Sequence, residues 1–98
     1  MTDELVPISD MYLASALLAY GATLEKIDRS DEKRQRFCFK DNVKSVYVAE
    51  PDNNNVSYVL DPKICDIETL FISKSLLFPP SYPDAIRSIK SAIYSGSV

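Results

Sequence analysis

Met11-Tyr-Leu-Ala-Ser-Ala-Leu-Leu-Ala-Tyr20 is the stretch that decides the fold, because it holds no charge, proline or glycine and carries apolar residues on nearly every face of a helix. Such a helix cannot sit in water and predicts the buried spine of a small domain. Ser9 is placed to cap it, Asp10 to complement its dipole in the first turn, and Ile8 to staple against Leu13 across the cap. Gly21 supplies a left-handed stop just past the last apolar residue. Upstream, residues 1–7 read as a short leader closed by Pro7, with little structure of its own.

Outward from the spine, the pattern changes to that of strands. Thr23-Leu-Glu-Lys-Ile-Asp28 and Arg36-Phe-Cys-Phe-Lys40 flank a charged connector at Arg29 to Arg34, which reads as a solvated turn. Phe37 and Phe39 alternate with Arg36, Cys38 and Lys40, the period of a half-buried strand, so a hairpin packed on the first helix is expected. Ser45-Val-Tyr-Val-Ala49 and Val56-Ser-Tyr-Val-Leu60 are rich in β-branched and aromatic residues and are separated by Pro51-Asp-Asn-Asn-Asn55, a loop with strong turn chemistry. They predict a second hairpin.

Asp61-Pro62 ends it. Asp66 then caps a helix expected to carry Ile67, Leu70, Phe71 and Leu77, with Phe78-Pro-Pro80 as its stop. Ser81 and Asp84 form a capping signal for a last helix whose stripe is Ala85, Ile86, Ile89 and Ile93, closed by Gly96. The expected architecture is a single α+β domain over residues 1–98, a small antiparallel sheet of two hairpins covered on one face by three helices.

Composition narrows the chemistry. The chain has 98 residues, 46% hydrophobic and 26% charged, which suits one ordinary globular core. It has no histidine, so the commonest general base and every Ser-His or Cys-His nucleophile pair are missing, and no four-ligand zinc site can be assembled from two cysteines. No enzyme activity, cofactor or metal is therefore expected. Asp31 with Glu32, and Asp61 with Asp66, lack the spacing of a calcium loop. Cys38 and Cys65 read as two buried free thiols. The longest apolar run is too short for a bilayer and lacks a signal-peptide flank, so a cytoplasmic location without membrane contact is expected.

Net charge is −3, which argues against general affinity for nucleic acid. The cations are nevertheless clustered: Lys26, Arg29, Lys33, Arg34, Arg36 and Lys40 fall in one stretch. Arg87, Lys90 and Tyr94 line one face of the last helix, where they either grip phosphates or an acidic partner or merely complement their own helix end and close the core. The candidate binding residues are therefore Arg87, Lys90, Tyr94, Arg34 and Arg36. Tyr20, Tyr47, Tyr58 and Tyr82 either build an aromatic surface or serve as core edges with a wet hydroxyl.

The blocks Ser9-Asp-Met-Tyr-Leu-Ala-Ser-Ala-Leu-Leu-Ala-Tyr-Gly21, Leu24-Glu-Lys-Ile-Asp-Arg29, Arg36-Phe-Cys-Phe39 and Pro83-Asp-Ala-Ile-Arg-Ser-Ile-Lys-Ser-Ala-Ile-Tyr94 together resemble a family of small prokaryotic and phage-encoded proteins that forms a domain of unknown function. The resemblance covers roughly half the chain, mainly through a Ser-Asp-x-Tyr-Leu-Ala opening and an Arg-x-x-Lys closing helix. It implies a phage or mobile-element setting and brings no assigned activity. Residues 44–60 depart from the family's pattern, which tends to look helical there, so hairpin and helix both remain open for that segment.

These features favour a small acidic accessory protein that acts by binding a host or viral protein, one version being inhibition of a nucleic-acid-binding defence component by complementary charge. The alternative is a nucleic-acid binder using the stretch from Arg29 to Lys40 and the Arg87-Lys90-Tyr94 face.

Overall fold

The computed structural model describes residues 5–30, 35–50 and 55–95. Residues 31–34 of the charged connector, Arg34 among them, residues 51–54 of the second loop and Gly96 lie outside them. The order is β1 (Leu5–Ile8), α1 (Met11–Ala19), β2 (Leu24–Asp28), β3 (Arg36–Lys40), β4 (Ser45–Ala49), β5 (Val56–Leu60), α2 (Ile64–Ile72) and α3 (Tyr82–Ser95). The fold is α+β, with three helices and antiparallel hairpins at β2–β3 and β4–β5. Residues 45–49 and 56–60 form strands, which settles the open segment as a hairpin.

Helix α1 is the spine: Leu13, Ala14, Ser15, Ala16 and Leu17 are all buried. Ser15 is tolerated there because its hydroxyl donates to the Met11 carbonyl at 2.8 Å, one turn back. The cap is Asp10 and not Ser9: the Asp10 carboxylate accepts from Tyr12 N–H at 2.8 Å and Leu13 N–H at 3.2 Å. The shift follows from the leader being a strand. Leu5–Ile8 pairs antiparallel with β3, Ile8 opposite Phe37, so the chain stays extended past Ile8 and the helix begins later than the capping pattern suggests. Ile8 enters the core as the end of β1, in the same cluster as Leu13. At the other end, Gly21 takes φ +95°, with Gly21 N–H bonded to Leu18 O and Ala22 N–H to Leu17 O, the Schellman arrangement.

The strands form two sheets, ordered β1-β3-β2 and β4-β5. With β1 added, β3 becomes a central strand, and Phe37, Cys38 and Phe39 are all buried instead of alternating. Cys38 lies on the side away from the two phenylalanines, between Pro7 and Lys26 in register. The principal core joins Leu13 and Leu17 of α1, Phe37 and Phe39 of β3, Val46 of β4, Ile64 and Ile67 of α2 and Ile89 of α3.

Helix α2 starts before the expected cap. Its N-cap is Lys63, whose N–H is accepted by the Asp66 carboxylate at 3.3 Å, while Asp41 accepts from Ile64 N–H at 3.0 Å. Cys65 is consequently on an outward-facing first turn and is exposed, contrary to the expectation of two buried thiols. The helix also ends before Leu77, through a second Schellman arrangement in which Lys74 N–H bonds to Phe71 O, Ser75 N–H to Leu70 O, and Lys74 takes φ 63°. The chain beyond it is extended against β4, with Ala49 N–H bonded to Ser75 O and Leu77 N–H to Tyr47 O.

In α3 the Ser81 carbonyl accepts the first helical bond from Ala85, as an N-cap should. Its hydroxyl is used differently from the expected capping box, donating to Ala19 O at 3.4 Å and tying α3 to the end of α1.

Candidate functional site

Two surfaces compete for a binding role. The first is the face singled out in α3, where Arg87, Lys90 and Tyr94 are all exposed and Tyr94 is 86% exposed. Tyr94 therefore does not close the core. Arg87 reaches Asp84 at 3.5 Å, an exposed i, i+3 pair of small energetic weight.

The basic stretch does not assemble into a free cationic patch among the described residues. Arg29 donates to the carbonyls of Ala92 at 3.0 Å and Ile93 at 3.4 Å, satisfying orphan acceptors in the last turn of α3. Lys40 pairs with Glu25 at 3.2 Å. Arg36 is exposed and stands opposite Asp28 in the β2–β3 register. Asp28 has its carboxyl held below the ordinary carboxylate range, chiefly by the Ser30 N–H at 3.0 Å, then by the Ser30 hydroxyl and by the charges of Arg36 and Lys26. The Arg29 contact does bring the end of β2, and with it Arg36, to the end of α3 that bears Tyr94. Arg34 lies outside the described residues.

The second surface is the β4–β5 hairpin. Its register pairs Tyr47 with Tyr58, Ala49 with Val56 and Ser45 with Leu60, so those six side chains share one face. Val46 on the opposite face is fully buried, whereas Tyr47, Val56, Tyr58 and Leu60 are between 51% and 66% exposed. Tyr47 and Tyr58 meet edge to face with ring centroids 6.5 Å apart. A solvent-facing sheet surface is normally polar; this one is aromatic and aliphatic.

The four tyrosines weighed together thus divide. Tyr20 and Tyr82 are core edges, each with its hydroxyl pushed above the ordinary phenol range mainly by burial. Tyr20 donates to the Leu77 carbonyl and accepts the Tyr47 N–H at 3.3 Å, which fastens the hairpin to the end of α1. Tyr82 donates to the Tyr12 carbonyl at 3.4 Å. Tyr47 and Tyr58 form the exposed pair.

An open apolar recess of about 530 Å³ lies beside the hairpin, lined by Phe71, Ile72, Lys74, Leu76 and Phe78. Phe78 stacks on Tyr82 at 4.4 Å and meets Phe71 edge to face at 6.2 Å. Ile72 is 71% exposed at its rim.

Among the described residues no group of three or more Cys, Asp or Glu side chains gathers to hold a metal ion, and no helix is long and apolar enough to cross a membrane. Asp31 and Glu32 lie outside those residues. The hairpin face was missed in the candidate residues, yet a signal for it exists. Val56-Ser-Tyr-Val-Leu60 has apolar residues at positions of both parities, and a strand with only one buried face must then show the others to solvent. Comparison with protein-family models, with curated proteins and with solved structures finds no match to this chain.

Proposed function

We propose that this protein is a non-enzymatic protein-binding module whose contact surface is the outer face of the β4–β5 hairpin. The observation that carries this reading is the exposed cluster of Tyr47, Val56, Tyr58 and Leu60 on one face of a hairpin whose other face is anchored in the core through Val46. Contiguous apolar and aromatic surface of this kind is the ordinary core of a protein–protein contact. The Arg87, Lys90 and Tyr94 face of α3 is a second contact for an acidic part of the partner.

Nucleic acid is the weaker reading because the basic stretch is partly engaged, Arg29 with helix carbonyls and Lys40 with Glu25, and because the net charge is −3. The resemblance of the opening and closing blocks is what points to a phage or mobile-element accessory protein acting in the cytoplasm. Docking on a host or viral protein is then the mode of action, and blockade of a nucleic-acid-binding defence component is the version a chain of net charge −3 suits.

Selection from a displayed library of small protein binders tests the surface without presuming the partner. Apolar hot-spot surfaces are the ones such libraries find, so the enriched binders should lose the protein on Tyr47→Asp, a change at an exposed position that leaves the fold intact. Binders indifferent to Tyr47→Asp would overturn the reading. So would steeply salt-dependent capture of labelled oligonucleotides that Arg87→Glu with Lys90→Glu abolishes.

A further inference from the structure

We propose that the free edge of β5 pairs with β5 of a second copy, making a two-fold dimer with one sheet running across the interface. The inference rests on the hairpin face being the working surface, because pairing at the edge joins two such faces into one.

The register fixes which backbone groups are available. Glu50 N–H bonds to Asn55 O and Asp61 N–H to Lys44 O, so the hydrogen-bonded pairs of the hairpin are those in phase with them, namely Val48 with Ser57 and Val46 with Val59. Val56, Tyr58 and Leu60 then direct their N–H and C=O groups away from β4. No other strand lies along that edge among the described residues. On the far side of β4, Tyr47 O accepts the Leu77 N–H, the Tyr47 N–H bonds to the Tyr20 hydroxyl and the Ala49 N–H to Ser75 O. Among the described residues the β5 side is the one along which no chain runs.

The rest of the molecule protects its sheet edges. Outer strand β1 carries Pro7, and outer strand β2 carries Glu25 and Lys26 beside a register irregularity between Leu24 and Lys26. Proline, charge and bulges are the usual devices against edge pairing. Strand β5 has none of them, being Val-Ser-Tyr-Val-Leu without a charge.

That strand is also complementary to itself. An antiparallel pair centred on Tyr58 sets Val56 against Leu60 of the second copy and Tyr58 against its own counterpart. All the outward N–H and C=O groups then find partners in hydrogen-bonded phase. Asp61 falls opposite the Asn55 amide and not opposite another carboxylate, so no like charges meet. Tyr58 and its counterpart stand side by side on the exposed face, extending each Tyr47–Tyr58 pair into a row of four rings. A charged or proline-bearing strand from an unrelated protein would fit this edge less well.

Sedimentation velocity across a dilution series of the intact protein, read together with residue-resolved amide exchange, tests this. The mass should rise with concentration from 11.0 kDa to twice that value, and the amides of Val56, Tyr58 and Leu60 should gain protection in step. Tyr58→Lys places like charges on the two-fold axis and should hold the protein monomeric, with an unchanged circular dichroism spectrum. A wild-type mass that stays at 11.0 kDa at every concentration overturns the dimer. So does a dimer in which those three amides stay unprotected. Neither of these results touches the library selection, whose dependence on Tyr47 is read on β4 and away from the edge; if Tyr58→Lys does not fold, the wild-type exchange data alone decide.

Discussion

The guanidinium of Arg29 lies 3.0 Å from the carbonyl oxygen of Ala92, closing the last turn of α3 from a strand end 63 residues away in the chain. This converts a residue that reads as part of a basic patch into a structural cap, and it ties the three-stranded sheet to the closing helix.

Arg29→Ala should therefore destabilise the fold by about 1.5–3 kcal/mol, the usual worth of hydrogen bonds from a charged donor. Urea unfolding followed by circular dichroism measures it. Arg29→Lys keeps the charge and loses the fork that spans two carbonyls, so it should recover only part of the loss. A melt unchanged in Arg29→Ala would return this cation to the surface.

Lys74 holds φ 63° at the position where a Schellman turn usually has glycine. Lys74→Gly should raise stability by about 0.5–1 kcal/mol, because relief of the left-handed penalty exceeds the entropy that glycine adds to the unfolded chain at this site. Thermal and urea melts of the single variant decide it, and a loss of stability would contradict the assigned conformation.

The two thiols should separate kinetically. Cys65 is exposed and Cys38 buried, so one equivalent of thiol reagent should react quickly with the folded protein and the second only on unfolding. Cys65→Ser should remove the fast phase alone. Two fast equivalents would mean that β3 is not the covered central strand described here.

Alkaline pH should weaken the fold through Tyr20. Burial raises its hydroxyl above the ordinary value of 10.0, so the folded state holds the proton more tightly than the unfolded chain. The contribution is whole below pH 10.0 and is lost as pH rises through the raised folded value. Tyr82 titrates in the same sense, so Tyr20→Phe should flatten the alkaline loss without abolishing it. At neutral pH the same variant should cost about 1–3 kcal/mol, since the Leu77 carbonyl and Tyr47 N–H lose their shared partner. Thermal melts of both proteins from neutral to strongly alkaline buffer check the sign.

Much of this architecture is legible in the residues. The apolar run from Met11 to Tyr20, the alternation around Phe37 and Phe39 and the stripe through Ile89 each carry a local period, and local periods fix element type. What escapes is whatever depends on a distant partner. Nothing in Leu5-Val-Pro-Ile8 announces a strand until β3 is beside it, and nothing in Arg29 announces α3. Helical spacing sets Arg87, Lys90 and Tyr94 on one face, but whether Tyr94 closes the core or stands in solvent is decided only by the assembled fold. The open hairpin face was readable only in part: apolar residues at both parities in Val56–Leu60 imply that some face solvent, but only the assembled fold shows which side the core occupies.

Hydrogen exchange of the hairpin amides in dilute protein addresses the central claim most directly, that β5 is a formed strand with an open outer edge. Within Val56–Leu60 the pattern should alternate: Ser57 and Val59, bonded to β4, should exchange slowly, and Val56, Tyr58 and Leu60, pointing outward, should exchange quickly. Uniform fast exchange would mean that the hairpin is not formed. Uniform protection in a dilution-stable monomer would mean that the edge is already covered within the chain, and would contradict the open edge and the dimer drawn from it.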